Sequence, residues 1–115
     1  MKKVFYLSSC STCKRILKEL DLPSEFVLQD IKKQPLDEED LDVLYQGTKS
    51  YEKLFNKRAQ LYKSRELKNK QLTEADYAEL LLEHYTFLKR PVFIINDDIF
   101  VGNHKNTIAQ VKATL

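Results

Sequence analysis

Several features are scarce in this sequence, and each scarcity removes a class of function. The 115 residues include only two cysteines and two histidines, carry a formal net charge of +2, and hold no internal repeat, low-complexity tract or linker. A structural zinc needs four ligands. His84 and His104 would have to join Cys10 and Cys13 from far along the chain. The net charge is too small to imply direct nucleic-acid binding by itself. No segment approaches the roughly 18–20 apolar residues that span a bilayer. Met1-Lys2-Lys3 leads into an apolar run that is too brief, and lacks the cleavage-site chemistry, for a secretory signal. The expectation is a single cytoplasmic domain over residues 1–115 with no membrane partner. In that compartment a structural disulfide is improbable, and paired cysteines are more often catalytic, redox-sensing or metal-binding.

What is present is ordinary for a globular chain: 43% apolar and 31% charged residues, enough for a core without disulfide staples. The charge is unevenly spread. Residues 37–42 carry five acidic side chains and no basic one, whereas residues 49–70 carry eight basic and two acidic. The second run reads either as a solvated helical face or as an electropositive rim for an anionic substrate or an acidic protein surface.

Lys3–Leu7 reads as a strand and Ser11–Leu20 as a helix, with Ile16, Leu17 and Leu20 on its buried side. Pro23 ends that helix, and Glu25–Leu28 reads as a second strand, completing a βαβ unit. Pro35-Leu36-Asp37 then opens an acidic helix with Leu41 and Leu44 on its apolar face and Gly47 as its stop. A short helix over Ser50–Phe55 and partly irregular chain over 56–72 follow, anchored by Leu61, Tyr62 and Leu67. Thr73-Glu74-Ala75-Asp76 resembles a helix start, although Asp76 stands where a capping box has Glu or Gln. Tyr77, Leu80, Leu81 and His84 continue it at helical spacing. Val92–Ile95, the turn Asn96-Asp97-Asp98 and Ile99–Val101 form a hairpin, and a last helix covers about His104–Thr114. The order is βαβ, a helical insert over about 36–87, then ββα.

The chemistry gathers at Ser9-Cys10-Ser11-Thr12-Cys13, where a strand runs into a helix. A sulfur at a helix N-terminus faces unpaired amide N–H groups and the positive end of the dipole, both of which favour a thiolate. Cys10 is the expected nucleophile and Cys13, one turn on and more buried, the resolving thiol. Two inert core cysteines are the structural alternative. Lys14 and Arg15 add positive charge nearby, on side chains free to point away. C-x-x-C between strand and helix in a βαβ…ββα order indicates a thioredoxin-like α/β fold, glutaredoxin-type, with a four-stranded mixed sheet. In such a sheet the residue entering the third strand lies across from the Cys loop, which singles out Arg90-Pro91. X–Pro is where a cis bond is tolerated, and Arg90 supplies a forked donor for a carboxylate, oxyanion or thiolate. A proline merely starting a strand is the plainer reading. His84 reads as a packing residue, and the aromatic residues among the lysines of the insert as core anchors.

Ser9-Cys10-Ser11-Thr12-Cys13-Lys14-Arg15, Leu54-Phe55-Asn56-Lys57-Arg58, Glu83-His84-Tyr85-Thr86-Phe87-Leu88-Lys89-Arg90-Pro91 and Val101-Gly102-Asn103 together resemble the ArsC/Spx family, in the family's order along nearly the whole chain. The resemblance implies a thioredoxin-like core with a helical insert, a nucleophilic Cys10 and a cis Pro91. It also implies reduction of a disulfide or of an oxyanion such as arsenate. It implies no metal or organic cofactor, with glutathione and glutaredoxin or thioredoxin as electron source. Three arginines hold the oxyanion in the family's arsenate reductases. Arg90 falls on the second, Asn56 or Arg58 near the first, and Gly102-Asn103 on the third. The cysteine pair looks like the Spx branch, for which the resemblance implies a redox-switched regulator that binds the RNA polymerase α subunit.

Overall fold

The computed structural model describes residues Met1–Leu115. The chain divides into two compact units, Met1–Gln34 with Arg90–Leu115, and Pro35–Lys89.

The first unit is built on a four-stranded mixed sheet with strand order β2-β1-β3-β4. β1 (Lys2–Tyr6) leads through a turn into α1 (Ser11–Leu20), which returns to β2 (Val27–Asp30), parallel to β1. β3 (Val92–Ile95) runs antiparallel to β1 with Val4 opposite Phe93, and β4 (Asp98–Val101) closes the hairpin. Asn96 adopts the left-handed conformation that a tight two-residue connection requires, a conformation Asn tolerates better than most residues. The last helix (Lys105–Thr114) lays Val111 and Ile108 on the same core as Val4, Ile16, Leu20, Phe26, Phe93 and Ile95. This is the βαβ…ββα order expected from the sequence, with α1 at its expected bounds.

β2 departs from the expectation in an informative way. It starts at Val27 rather than Glu25, because the Phe26 N–H donates to the Pro23 carbonyl at 3.1 Å and Phe26 turns into the core. Its burial is inverted: Val27 and Leu28 are more than half exposed, while Gln29 and Asp30 are buried. An apolar run had marked the strand, yet the polar pair after it is the part placed inside.

The second unit carries three helices, here α2 (Glu38–Thr48), α3 (Gln60–Ser64) and α4 (Glu74–Glu83), with single 3₁₀ turns at Glu52–Leu54, Leu67–Asn69 and Tyr85–Phe87; the last helix of the first unit is α5. Asp37 and Thr73 head complete capping boxes, and Asp76 serves where a longer side chain was expected. The short carboxylate reaches back because the Thr73 N–H and hydroxyl both donate to its Oδ2, at 2.8 and 3.0 Å. Those donations hold the Asp76 carboxyl below its ordinary pKa. Gly47 does not stop α2; the helix runs to Thr48, and Lys49 takes the left-handed capping position, its N–H donating to the Tyr45 carbonyl at 2.7 Å. Glu74 ties α4 to the preceding segment by accepting the Tyr51 and Glu52 amides at 2.8 and 3.1 Å. Phe55 packs against Phe87, Tyr77 and Tyr62, with Leu67 and Leu81 also buried. Leu61 and Tyr62 are only half-buried, so Leu67 is the anchor of the irregular stretch.

Thr73→Ala removes the cap acceptor and the hydroxyl donor to Asp76 together; chemical denaturation should register a loss of about 1 kcal/mol. An unchanged denaturation midpoint would contradict a capping role for that hydroxyl.

Candidate active site

β1 ends at Tyr6, and the chain reverses through a turn closed by the Cys10 N–H donating to the Leu7 carbonyl at 3.0 Å. Ser8 and Ser9 occupy its centre, where small side chains with local hydrogen-bonding oxygens suit the geometry. Cys10 follows in extended conformation (φ −94°, ψ 112°) as the N-cap of α1, and its carbonyl accepts the Lys14 N–H at 3.1 Å. The sulfur is thus presented at the helix mouth by the junction itself. Cys10 is half-buried and Cys13 fully buried, and both are free thiols.

The two sulfurs differ sharply in acidity. Burial alone would raise the Cys10 thiol. That effect is outweighed by the Cys13 amide and thiol, the Arg90 guanidinium and the Thr12 amide, so Cys10 ends below its ordinary value. The neutral thiol makes no cap hydrogen bond of standard geometry. What the helix amides supply is therefore chiefly stabilisation of the charged form, as a helix N-terminus should. Cys13 moves the other way, pushed up to about 11 by burial first and then by the negative charge and hydrogen bond of Cys10, against the opposing Leu7 amide and Arg90 charge. One member of the pair is poised as thiolate, and the other remains a protonated donor to it.

Arg90 is half-buried at the entrance to β3, and the Arg90–Pro91 bond is cis. The buried Pro91 offers its carbonyl to the Gly102 N–H at 2.9 Å, joining the start of β3 to the residue after β4. Gly102 has a φ of +91°, where a side chain would be strained. Cys10, Cys13, Arg90 and Pro91 all belong to the first unit, and Arg90 acts electrostatically on both sulfurs. Arg58 belongs to the second unit. It is exposed, and its backbone N–H donates to Asn56 Oδ1 at 3.0 Å.

The lesser candidates have local roles. Lys14 and Arg15 are exposed, and Arg15 lies 3.7 Å from Glu19 along the helix. His84 Nδ1 accepts the Thr86 amide at 3.0 Å, and His104 Nδ1 accepts the Asn106 amide at 3.1 Å, so both imidazoles cap turns of helix. No group of three or more His, Cys, Asp or Glu side chains is placed to hold a metal ion, and no helix is long and apolar enough to cross a membrane. In the basic run, Lys57 pairs with Glu52 at 2.6 Å and Arg65 with Glu83 at 2.7 Å, so part of the positive excess is neutralised locally.

One buried group of this region went unrecognised in the sequence. Asp30 lies beyond the strand that the sequence marks over Glu25–Leu28, and its Oδ1 accepts the Ser8 and Lys32 amides at 3.3 and 3.2 Å. A polar residue ending an apolar run gave no signal that it folds back onto the Cys10 turn.

The comparisons with known proteins agree with this architecture. A solution structure of a Staphylococcus aureus COL protein is 27% identical, with a TM-score of 0.77, covering 96% of this chain and 97% of that one. An arsenate reductase (ArsC) related protein from Brucella melitensis is 25% identical, with a TM-score of 0.70 and coverage of 97% and 92%. An arsenate reductase from Vibrio cholerae, 22% identical over 99% and 97% of the two chains with a TM-score of 0.75, shares the fold. No curated protein matches the chain. The first unit therefore has the thioredoxin-like core of these relatives. A family model described as the ArsC family matches residues 5–111, from β1 into the last helix and across the Cys10 turn, and the chain belongs to that family.

Proposed function

We propose that this chain is a thiol-dependent reductase in which Cys10 is the nucleophile, Cys13 the resolving thiol and Arg90 the stabiliser of the anionic sulfur. The observation that carries this reading is Cys10 at the N-cap of α1 with Cys13 buried one turn along the helix, a placement that moves the two thiols to opposite sides of the ordinary value. ArsC-family membership supports thiol-dependent reduction as the reaction class. A disulfide is the substrate class that suits the site best, because a second, protonated thiol stands beside Cys10 to resolve a mixed disulfide.

The Cys10 thiolate attacks one sulfur of a substrate disulfide, forming a mixed disulfide and expelling the other sulfur as a thiolate. The negative charge that raised Cys13 disappears in that step, so its proton is released more readily, although burial still opposes ionisation. Cys13 then attacks the Cys10 sulfur, expels the second substrate thiolate and closes a Cys10–Cys13 disulfide. Two electrons have passed to the substrate. Two equivalents of a thiol such as glutathione, or a glutaredoxin or thioredoxin, restore the reduced pair. An oxyanion such as arsenate would use the same two sulfurs, with Arg90 as its holder. The rival reading is a redox-gated protein that binds the RNA polymerase α subunit. Its support is the positive stretch, in which Lys53, Arg58, Lys63 and Lys68 are exposed.

A glutathionylated peptide supplied with reduced glutathione tests the mechanism. Turnover should vanish in Cys10→Ser, whereas Cys13→Ser given the glutathionylated peptide without added thiol should accumulate a covalent adduct on Cys10 visible by mass spectrometry. Undiminished turnover in Cys10→Ser would refute the nucleophile assignment. Reversible Cys10–Cys13 oxidation without turnover of any disulfide or arsenate would favour the regulator.

Arg90→Met removes the cation that favours the Cys10 thiolate. Alkylation of Cys10 at mildly acid pH should slow by roughly threefold to tenfold. An unchanged rate would remove Arg90 from the mechanism.

A further inference from the structure

Asp30 is a carboxylate only 8% exposed, at the end of an edge strand whose apolar residues face solvent. A charge so placed is unfavourable unless hydrogen bonds hold it. Oδ1 accepts the Ser8 and Lys32 amides, and Oδ2 is buried with no hydrogen-bond partner. The Ser8 hydroxyl foremost, and these amides with it, hold the carboxyl below its ordinary pKa despite its burial. Asp30 is therefore ionised wherever Cys10 would act.

Ser8 sits inside the turn closed from Cys10 back to Leu7, two residues before the sulfur. The Ile31 N–H donates to the Tyr6 carbonyl at 2.9 Å, so β1 and β2 remain paired up to the edge of that turn. Asp30 extends the tie one step further, from the end of β2 into the turn itself. Its other amide contact, to Lys32, fixes its own loop, where the Lys33 and Gln34 amides donate to the Asp30 carbonyl at 3.1 and 2.8 Å.

We propose that Asp30 is a positioning residue for Cys10: its carboxylate pins the Ser8 end of the Leu7–Cys10 turn and so holds the sulfur against the first amides of α1. This rests on Cys10 being the nucleophile. Position and charge act with opposite signs here. A nearby anion opposes thiolate formation, so if Asp30 acted through its charge, removing it would make Cys10 more reactive. If it acts by holding the turn, removing it loosens the alignment of sulfur with amides, and Cys10 becomes less reactive.

The test is peptide-resolved iodoacetamide labelling of Cys10 across pH in the full chain, for wild type, Asp30→Ala and Asp30→Asn. Circular dichroism would verify folding. Asp30→Ala should label about tenfold more slowly at mildly acid pH, equivalent to one unit in the thiol midpoint. Asp30→Asn keeps an acceptor oxygen in place and should recover most of the wild-type rate. A folded Asp30→Ala whose Cys10 labels as fast as wild type, or faster, overturns the inference while leaving Cys10 as nucleophile intact. If Asp30→Ala does not fold, Ser8→Ala decides, since it deletes the hydroxyl that, ahead of the amides, keeps Asp30 in its charged, turn-gripping form. Slower labelling supports the inference, and equal or faster labelling overturns it. A wild-type Cys10 that ionises like an ordinary thiol sinks the nucleophile reading, and the role of Asp30 with it.

Discussion

Two opposed effects meet at one sulfur. Partial burial of Cys10 favours the neutral thiol, whereas the amides of Thr12 and Cys13, the Cys13 thiol and the Arg90 cation favour the thiolate, and the second group wins. Everything else in the first unit is arranged so that they meet. The parallel β1–α1–β2 unit puts a helix N-terminus at the end of a central strand. The antiparallel return of β3 brings Arg90 to the same end, because β3 begins opposite the residues where β1 finishes, with Phe5 facing Val92. A helix mouth alone offers a partial charge that fades within a turn. Here a full cation from a different strand reinforces it.

The C-x-x-C spacing works because of the helix that carries it. Three residues along α1 places Cys13 about one turn from Cys10, close enough to donate a hydrogen bond to it and deep enough to be fully buried. The same proximity that stabilises Cys10 as thiolate keeps Cys13 protonated, so the pair cannot ionise together. Order of action follows from this coupling. The outer sulfur reacts first, and the inner one is released for reaction only after the charge beside it has been consumed.

Much of this was legible in the sequence. The strand, the small polar turn and the helix around Cys10 each have local signals, and α1 begins and ends where its residues say it should. The hairpin over Val92–Val101 was equally plain, since an all-apolar strand followed by Asn-Asp has few other readings. The losses share one physical cause: local rules assume that apolar residues go inside and glycine ends helices. In β2 the inside positions are Gln29 and Asp30, held by bonds to Gln34, Ser8 and Lys32, and no periodicity marks a polar residue whose partners lie in another loop. In α2 the helix passes through Gly47 and ends at Thr48, because Lys49 turns into the left-handed conformation while its amide still finds the Tyr45 carbonyl. Arg90 was singled out through the fold, because its relation to Cys10 exists only once β3 lies beside β1.

The most direct measurement is ultraviolet absorbance of the reduced chain as thiolates form across a pH titration, with the Cys13→Ser variant assigning the steps. Two well-separated ionisations are expected: Cys10 below the ordinary thiol value, and Cys13 far above it, at about 11. A single step in which both sulfurs ionise together at the value of an ordinary thiol would contradict it.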